Sequence, residues 1–155
     1  MKGTALLSLL VWLAASLAAG WIGSRYMPGE WYQALAKPAW TPPGWIFGPV
    51  WSVLYVLMGV SAWLVWRRGG FAAAPAAFGF FIAQLVLNAL WSYLFFGRHL
   101  IGAAAVEIVI LWLAILGAAV GFWRVRPAAG ALLVPYLCWV AFASALNFQL
   151  WRLNR

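Results

Sequence analysis

Charge is what this sequence has least of: only 8% of its 155 residues are charged, and just two residues, Glu30 and Glu107, are acids. A soluble domain of this length needs far more polar surface to cover its core. Two distant acids leave no carboxylate pair for acid–base work or a proton relay. One cysteine, Cys138, and one histidine, His99, exclude a disulfide framework and offer no metal-ligand cluster. Ordinary catalysis by nucleophile, metal or acid–base pair therefore has no residues to rest on. The net charge of +8 does not imply nucleic acid, because the basic residues stand singly or in pairs at the ends of apolar runs. That distribution fits interfacial anchors attracted to anionic lipid.

What the chain has in abundance is apolar residues, at 67%, with a mean hydropathy of +0.93. No charge interrupts the stretches Lys2 to Arg25, Lys37 to Arg67, Arg68 to Arg98, Glu107 to Arg124 or Arg126 to Arg152. Four of them can hold the roughly 20 apolar residues that cross a bilayer as a helix, and the run from Glu107 to Arg124 reaches that length with the apolar residues just before Glu107. The chain thus reads as an all-α membrane protein, a bundle of five transmembrane helices in a single domain. The spans expected are 4–24, 44–66, 74–96, 100–123 and 128–151. The first resembles a signal peptide in build, but with no soluble domain following it, it reads as a span. Five basic residues fall on each side of this topology, so the positive-inside rule assigns no orientation.

One connection is long, from Arg25 to Pro43. Pro28-Gly29-Glu30 reads as a helix start, Trp31, Ala34 and Leu35 share a face, and Pro38 ends the piece. An ordered, short amphipathic segment at the interface is expected. The following stretch, "LAKPAWTPPGWIFGPVWSVLY", carries four prolines and three tryptophans. Thr41 is a plausible cap, Pro42 and Pro43 suit a first helical turn, and Pro49, deeper in, predicts a kink or a partner for the Trp45 carbonyl. Pro135 repeats that situation in the fifth span, freeing the carbonyl of Ala131.

Polar side chains inside a bilayer usually face the bundle interior. Gln84, Asn88 and Ser92 fall at intervals of four, with Trp91 three after Asn88; Trp139, Ala143 and Asn147 repeat the interval, and Trp51 and Tyr55 share a face. Three helices can each turn an aromatic or amide stripe inward, either to line a cavity or simply to pack. Trp12, Trp21, Trp63, Trp66, Trp112, Trp123 and Trp151 read mainly as interfacial belt or packing. Glu107 is a candidate proton site or arginine partner, unless it reaches interfacial water. Gly79-x-x-x-Ala83 and Gly117-x-x-x-Gly121 are candidate helix-dimer motifs. His99 is a haem ligand or an interfacial residue, and Cys138 a small core residue.

Three stretches, "WYQALAKPAWTPPGWIFGPVWSVLYVLMG", "QLVLNALWSYLFFG" and "PYLCWVAFASALNFQLWRLN", resemble the TspO/MBR family of tryptophan-rich sensory proteins and mitochondrial translocator proteins (peripheral benzodiazepine receptor), in order and nearly over the whole chain. The resemblance implies five transmembrane helices, commonly a homodimer, and a pocket opening toward the long loop. It implies binding of porphyrins (protoporphyrin IX, haem) and other lipophilic small molecules as ligands, with no obligatory cofactor. It also implies assistance in tetrapyrrole transport, sensing or light-dependent breakdown, with Trp51 and Trp139 as candidates for the last. By motif, the pocket residues are Tyr32, Pro42, Pro43, Trp51, Tyr55, Asn88, Trp91, Trp139, Ala143 and Asn147. Arg25, Lys37, Arg98, Arg152 and Arg155 would meet the propionates. The family's sterol motif lacks its tyrosine here, since Leu146 to Arg152 carries Phe148, which fits a sterol-poor bacterial cell membrane. The rival readings are a small proton-coupled transporter using Glu107 and a scaffold for other membrane proteins.

Overall fold

A backbone in hydrocarbon must satisfy its own N–H and C=O groups, so uncharged apolar runs of this length have one stable form, the α-helix. The computed structural model describes residues 2–155. It contains α1 (Lys2–Gly23), α2 (Glu30–Ala34), α3 (Phe47–Trp66), α4 (Pro75–Ser92), α5 (Ile101–Val125) and α6 (Pro127–Leu153). All but α2 are long and apolar enough to cross a membrane. Short 3₁₀ turns at Gly44–Ile46 and Gly70–Ala73 lead into α3 and α4, and a π-helical turn at Tyr93–Gly97 closes α4. The protein is an integral membrane five-helix bundle.

The long helices close on one another. α1 packs on α3 and α4, α4 on α5, α5 on α6, and α6 back on α3, giving the circular order α1–α3–α6–α5–α4. Side chains tie neighbours together through backbone carbonyls: the Trp63 indole donates to Ala5 at 3.0 Å, Ser61 to Ala129 at 2.7 Å, and Trp112 to Leu137 at 3.1 Å. Such bonds are worth about 0.6–2 kcal/mol each between membrane helices.

The two halves of the bundle differ. In the half far from the long loop, Trp12 stacks on Phe78 at 5.2 Å and meets Phe81 edge-on, while Phe122 stacks on Phe81 at 5.6 Å. Trp12 is therefore a core residue. That half is packed by these rings, whereas the side-chain hydrogen bonds that link Tyr55, Asn88, Tyr136 and Gln84, and Trp91 with Asn147, lie from mid-bundle toward the loop.

Several local expectations change. Pro49 lies less deep than expected, because α3 begins at Phe47 and leaves it in the first turn, where a missing N–H costs nothing. Thr41 does not cap α3; its hydroxyl donates back to the Pro38 carbonyl at 2.7 Å, and Pro43 precedes the 3₁₀ turn instead. Gly117 and Gly121 serve contacts inside the bundle, since a Cβ at Gly117 would lie 2.8 Å from the Phe80 ring and one at Gly121 would overlap Ala77. Gly79 faces open space. Pro135 lies within a continuous α6.

Candidate ligand site

The loop is held as a cover by specific contacts. The Trp31 indole lies flat on the His99 imidazole, 4.0 Å apart and 11° from parallel, and His99 adopts a left-handed φ of 57° to present it. Tyr32 sets its edge against Phe95 and Phe96, at 6.2 and 5.6 Å. Burial pushes the Tyr32 phenol above its ordinary pKa. Lys37 donates to the carbonyls of Gln33 (2.8 Å) and Leu35 (3.1 Å) and rests 5.0 Å over the Tyr32 ring. Asn154, beyond α6, grips Ala36 twice: its Oδ1 accepts the Ala36 N–H and its Nδ2 donates to the Ala36 carbonyl, both at 2.9 Å. Pro42 is half-buried and Pro43 exposed where the loop turns down into α3.

Beneath the cover, three helices meet through a directional chain of hydrogen bonds. The Tyr55 hydroxyl donates to Asn88 Oδ1 at 2.5 Å, and Asn88 Nδ2 donates to the Tyr136 hydroxyl at 2.9 Å. Tyr136 donates in turn to Gln84 Oε1 at 2.9 Å, and Gln84 Nε2 reaches Met58 Sδ at 3.8 Å. All five side chains are buried. Trp51 lies on this chain, stacked on Tyr55 at 5.5 Å and edge-on to Tyr136 at 6.0 Å.

A second junction sits nearer the loop. The Trp91 indole donates to Asn147 Oδ1 at 2.9 Å, while Asn147 Nδ2 donates to the Ile101 carbonyl at 3.0 Å. Trp91 stacks on Phe95 at 5.1 Å, so the π-helical turn that aims Phe95 and Phe96 inward links this junction to Tyr32 and Trp31. Extra-residue turns of this kind recur at functional sites.

Trp139 marks the seam between α3 and α6. Its ring meets Phe47 at 5.8 Å and Phe142 at 5.6 Å, and Trp40 from the loop covers Phe142 at 5.7 Å. The Trp139 indole N–H is buried and has no acceptor. Ala143 is half-buried against the same core. Outside Trp139 runs an apolar groove of about 550 Å³ that includes Pro49, Val53, Pro135 and Cys138. Cys138 is exposed there, not a core residue, because its position on α6 turns it to the lipid face.

Glu107 is buried, and neither carboxylate oxygen has a partner. Its level follows from register. Gly117 and Gly121 of α5 lie against Phe80 and Ala77 of α4, and Asn147 of α6 reaches Ile101 of α5. The same antiparallel registers bring Glu107 level with Trp91 on α4 and Phe142 on α6. The arginine partner the sequence allowed is not there.

The structure thus gathers Trp51, Tyr55 and Asn88 at one junction, Trp91 and Asn147 at a second, and Trp139 with Ala143 at the α3–α6 seam. From the loop, Tyr32 packs on the Phe95 and Phe96 rings beside the second junction. Tyr136 was missed by sequence reasoning, although it is the hub of the first junction. Steps of four residues drift by about 40° each, so the stripe Trp139–Ala143–Asn147 crosses the inward face obliquely, from half-buried Trp139 at its edge to buried Asn147. The mixed spacing Tyr136–Val140–Ala143–Asn147 follows that face and was available as a signal.

Comparison with known proteins shows what the chain is similar to. The profile described as the TspO/MBR family matches residues 8–152. The chain is 41% identical over 148 residues to Protein CrtK of Rhodobacter capsulatus, covering 93% of this chain and 91% of the relative. It is 43% identical over 147 residues to the human Translocator protein, covering 92% and 86%. With the Tryptophan-rich sensory protein of Cereibacter sphaeroides it shares 39% over 145 residues, covering 94% and 90%.

Proposed function

The chain belongs to the TspO/MBR family, and from that premise we propose that it is a receptor for a porphyrin, such as protoporphyrin IX or haem, or for another flat lipophilic molecule. Membership makes it an integral membrane protein of translocator or sensory type. The observation that carries the ligand reading is that two junctions, Trp51 with Tyr55 and Asn88 and Trp91 with Asn147, lie on the inward faces below the loop, while at the α3–α6 seam the Trp139 N–H is buried without an acceptor. A broad apolar disc gains by stacking on indole and phenol faces. The hydrogen-bonded Tyr55–Asn88–Tyr136 chain forms a firm floor, and the proline-rich loop, pinned by Asn154, forms the cover. Preorganisation of both limits the ordering cost of binding.

The chemistry divides among the residues. Trp51, Trp91 and Trp139 stack on the ligand's faces, and Ala143 leaves room where a larger side chain would not. The Trp139 N–H is a ready donor to a ligand carbonyl or carboxylate; a buried donor left unmade costs about 1–3 kcal/mol. Lys37 and Arg25 stand on the loop side, where propionates would emerge. The protein works in this reading as a homodimer in a bacterial cell membrane. An absorbance and tryptophan-quenching titration with protoporphyrin IX in detergent tests it. Saturable binding that Trp51→Phe and Trp139→Phe each weaken is expected; absence of saturable binding to any tetrapyrrole overturns it in favour of a scaffold.

One observation favours a second reading. Glu107 is an intramembrane acid with no partner, the kind of group that couples proton movement to transport. Ligand flux into liposomes that Glu107→Gln abolishes, with binding intact, would support it.

A further inference from the structure

At the end of the bundle away from the long loop, α5 and α6 enclose a second groove, of about 280 Å³, on their lipid-facing seam. Its walls are Leu116 and Val120 from α5 and Val134 and Leu137 from α6. The helices touch at both ends of it. Toward the membrane surface they cross at Gly130, where a Cβ would lie 2.6 Å from Trp123 Cβ and 2.8 Å from the Ala119 carbonyl. Toward the bilayer middle, the Trp112 indole is bonded to the Leu137 carbonyl. From Leu116 to Arg124, the part of α5 that lines it, the helix rises roughly 12 Å at 1.5 Å per residue. That is most of the depth of one leaflet, which is half the ~30 Å hydrocarbon thickness.

The outer end of the groove is charged. Arg124 lines it, and Arg126 follows in the turn between the two helices. Neither has a carboxylate to meet: the two acids of the chain are Glu30, in the loop at the opposite end, and Glu107, in the loop-side half of α5. Val120, Trp123 and Val134 are exposed, so the trough is open to the bilayer along its length. An apolar channel that runs through most of one leaflet and ends at two uncompensated guanidinium groups matches one kind of occupant.

We propose that the α5–α6 seam is a binding site for a single anionic phospholipid, with an acyl chain in the trough and the phosphate on Arg124 and Arg126. Guanidinium groups favour phosphate through paired N–H donors. Each basic residue near an anionic surface contributes about a fivefold preference. A zwitterionic lipid fills the trough equally well but loses that preference, because its own ammonium group offsets the phosphate.

Brominated acyl chains, which quench indoles they touch, read the site directly through Trp123. The intact protein is placed in vesicles of one fixed phosphatidylglycerol–phosphatidylcholine mixture, with bromine on the chains of one lipid or the other. The Trp123 share of quenching is the difference between wild type and Trp123→Phe. Brominated phosphatidylglycerol should quench that share at least about fivefold more per mole. The Arg124→Gln/Arg126→Gln variant should lose the preference, and the Arg67→Gln/Arg68→Gln variant, altered at the same end but off the groove, should keep it. Equal quenching by both lipids in the wild type overturns the proposal. Equal loss in the two arginine variants also overturns it, since diffuse surface charge would then be the cause.

Discussion

Removing one oxygen atom from Tyr136 should cost this protein about twice what the same change costs at Tyr55. Both substitutions to phenylalanine preserve shape, so neither opens a cavity; they differ in what they orphan. Tyr55 only donates, to Asn88 Oδ1, so Tyr55→Phe leaves one buried acceptor unmet. Tyr136 both accepts from Asn88 Nδ2 and donates to Gln84 Oε1, so Tyr136→Phe leaves a buried donor and a buried acceptor unmet. Tyr136 is completely buried and Asn88 only 4% exposed, so water cannot stand in readily. At about 1–2 kcal/mol per orphaned group, the losses are roughly 1–2 kcal/mol for Tyr55→Phe and roughly 2–4 for Tyr136→Phe. For a chain of this size about 2–4 °C accompanies each kcal/mol, giving shifts of about 2–8 °C and about 4–16 °C, the second about twice the first. Thermal unfolding followed by circular dichroism in one detergent measures both. Equal shifts, a reversed order, or shifts below a degree would refute the claim that this directional chain holds α3, α4 and α6 together.

Four further outcomes follow from the same structure. Ala143→Thr should weaken porphyrin binding about tenfold through overpacking with little change in melting temperature; unchanged titration curves would place Ala143 outside the site. Arg25→Gln with Lys37→Gln should weaken protoporphyrin by about 25-fold, roughly fivefold for each charge, and leave an uncharged ligand unaffected, and equal weakening of both would remove the role of charge. Asn154→Ala deletes both bonds to Ala36, so amide exchange in the loop should speed by about tenfold while exchange in the far half of the bundle stays constant. Glu107→Leu replaces an acid that has no partner; its melting temperature should hold or rise, and a fall of several degrees would reveal an ion-pair partner.

Much of the architecture was already legible in the residues. Charges confined to the ends of apolar runs leave helices across a bilayer as the only way to satisfy the backbone, which is why composition sufficed for five spans. The loop's order was readable too, because Pro28, Pro38, Pro42 and Pro43 restrict the backbone wherever they stand. Spacing placed Trp51, Tyr55, Asn88 and Trp91 inward, since a helix presents residues three and four apart on one side.

Tertiary structure alone decided the rest, because those questions concern which faces meet. The circular order of the helices sets Tyr136 between Asn88 and Gln84, and no periodicity on α6 names its partners on α4. Gly117 and Gly121 look like a dimer motif in isolation and become an internal contact once α4 lies against them. Cys138 reads as buried by residue type and is exposed by its angle on α6. Sequence fixes the pattern along each helix; the azimuth at which each helix docks, set by close packing across several neighbours at once, determines which of those residues face one another, which face lipid, and which, like the Trp139 N–H and Glu107, are left without a partner.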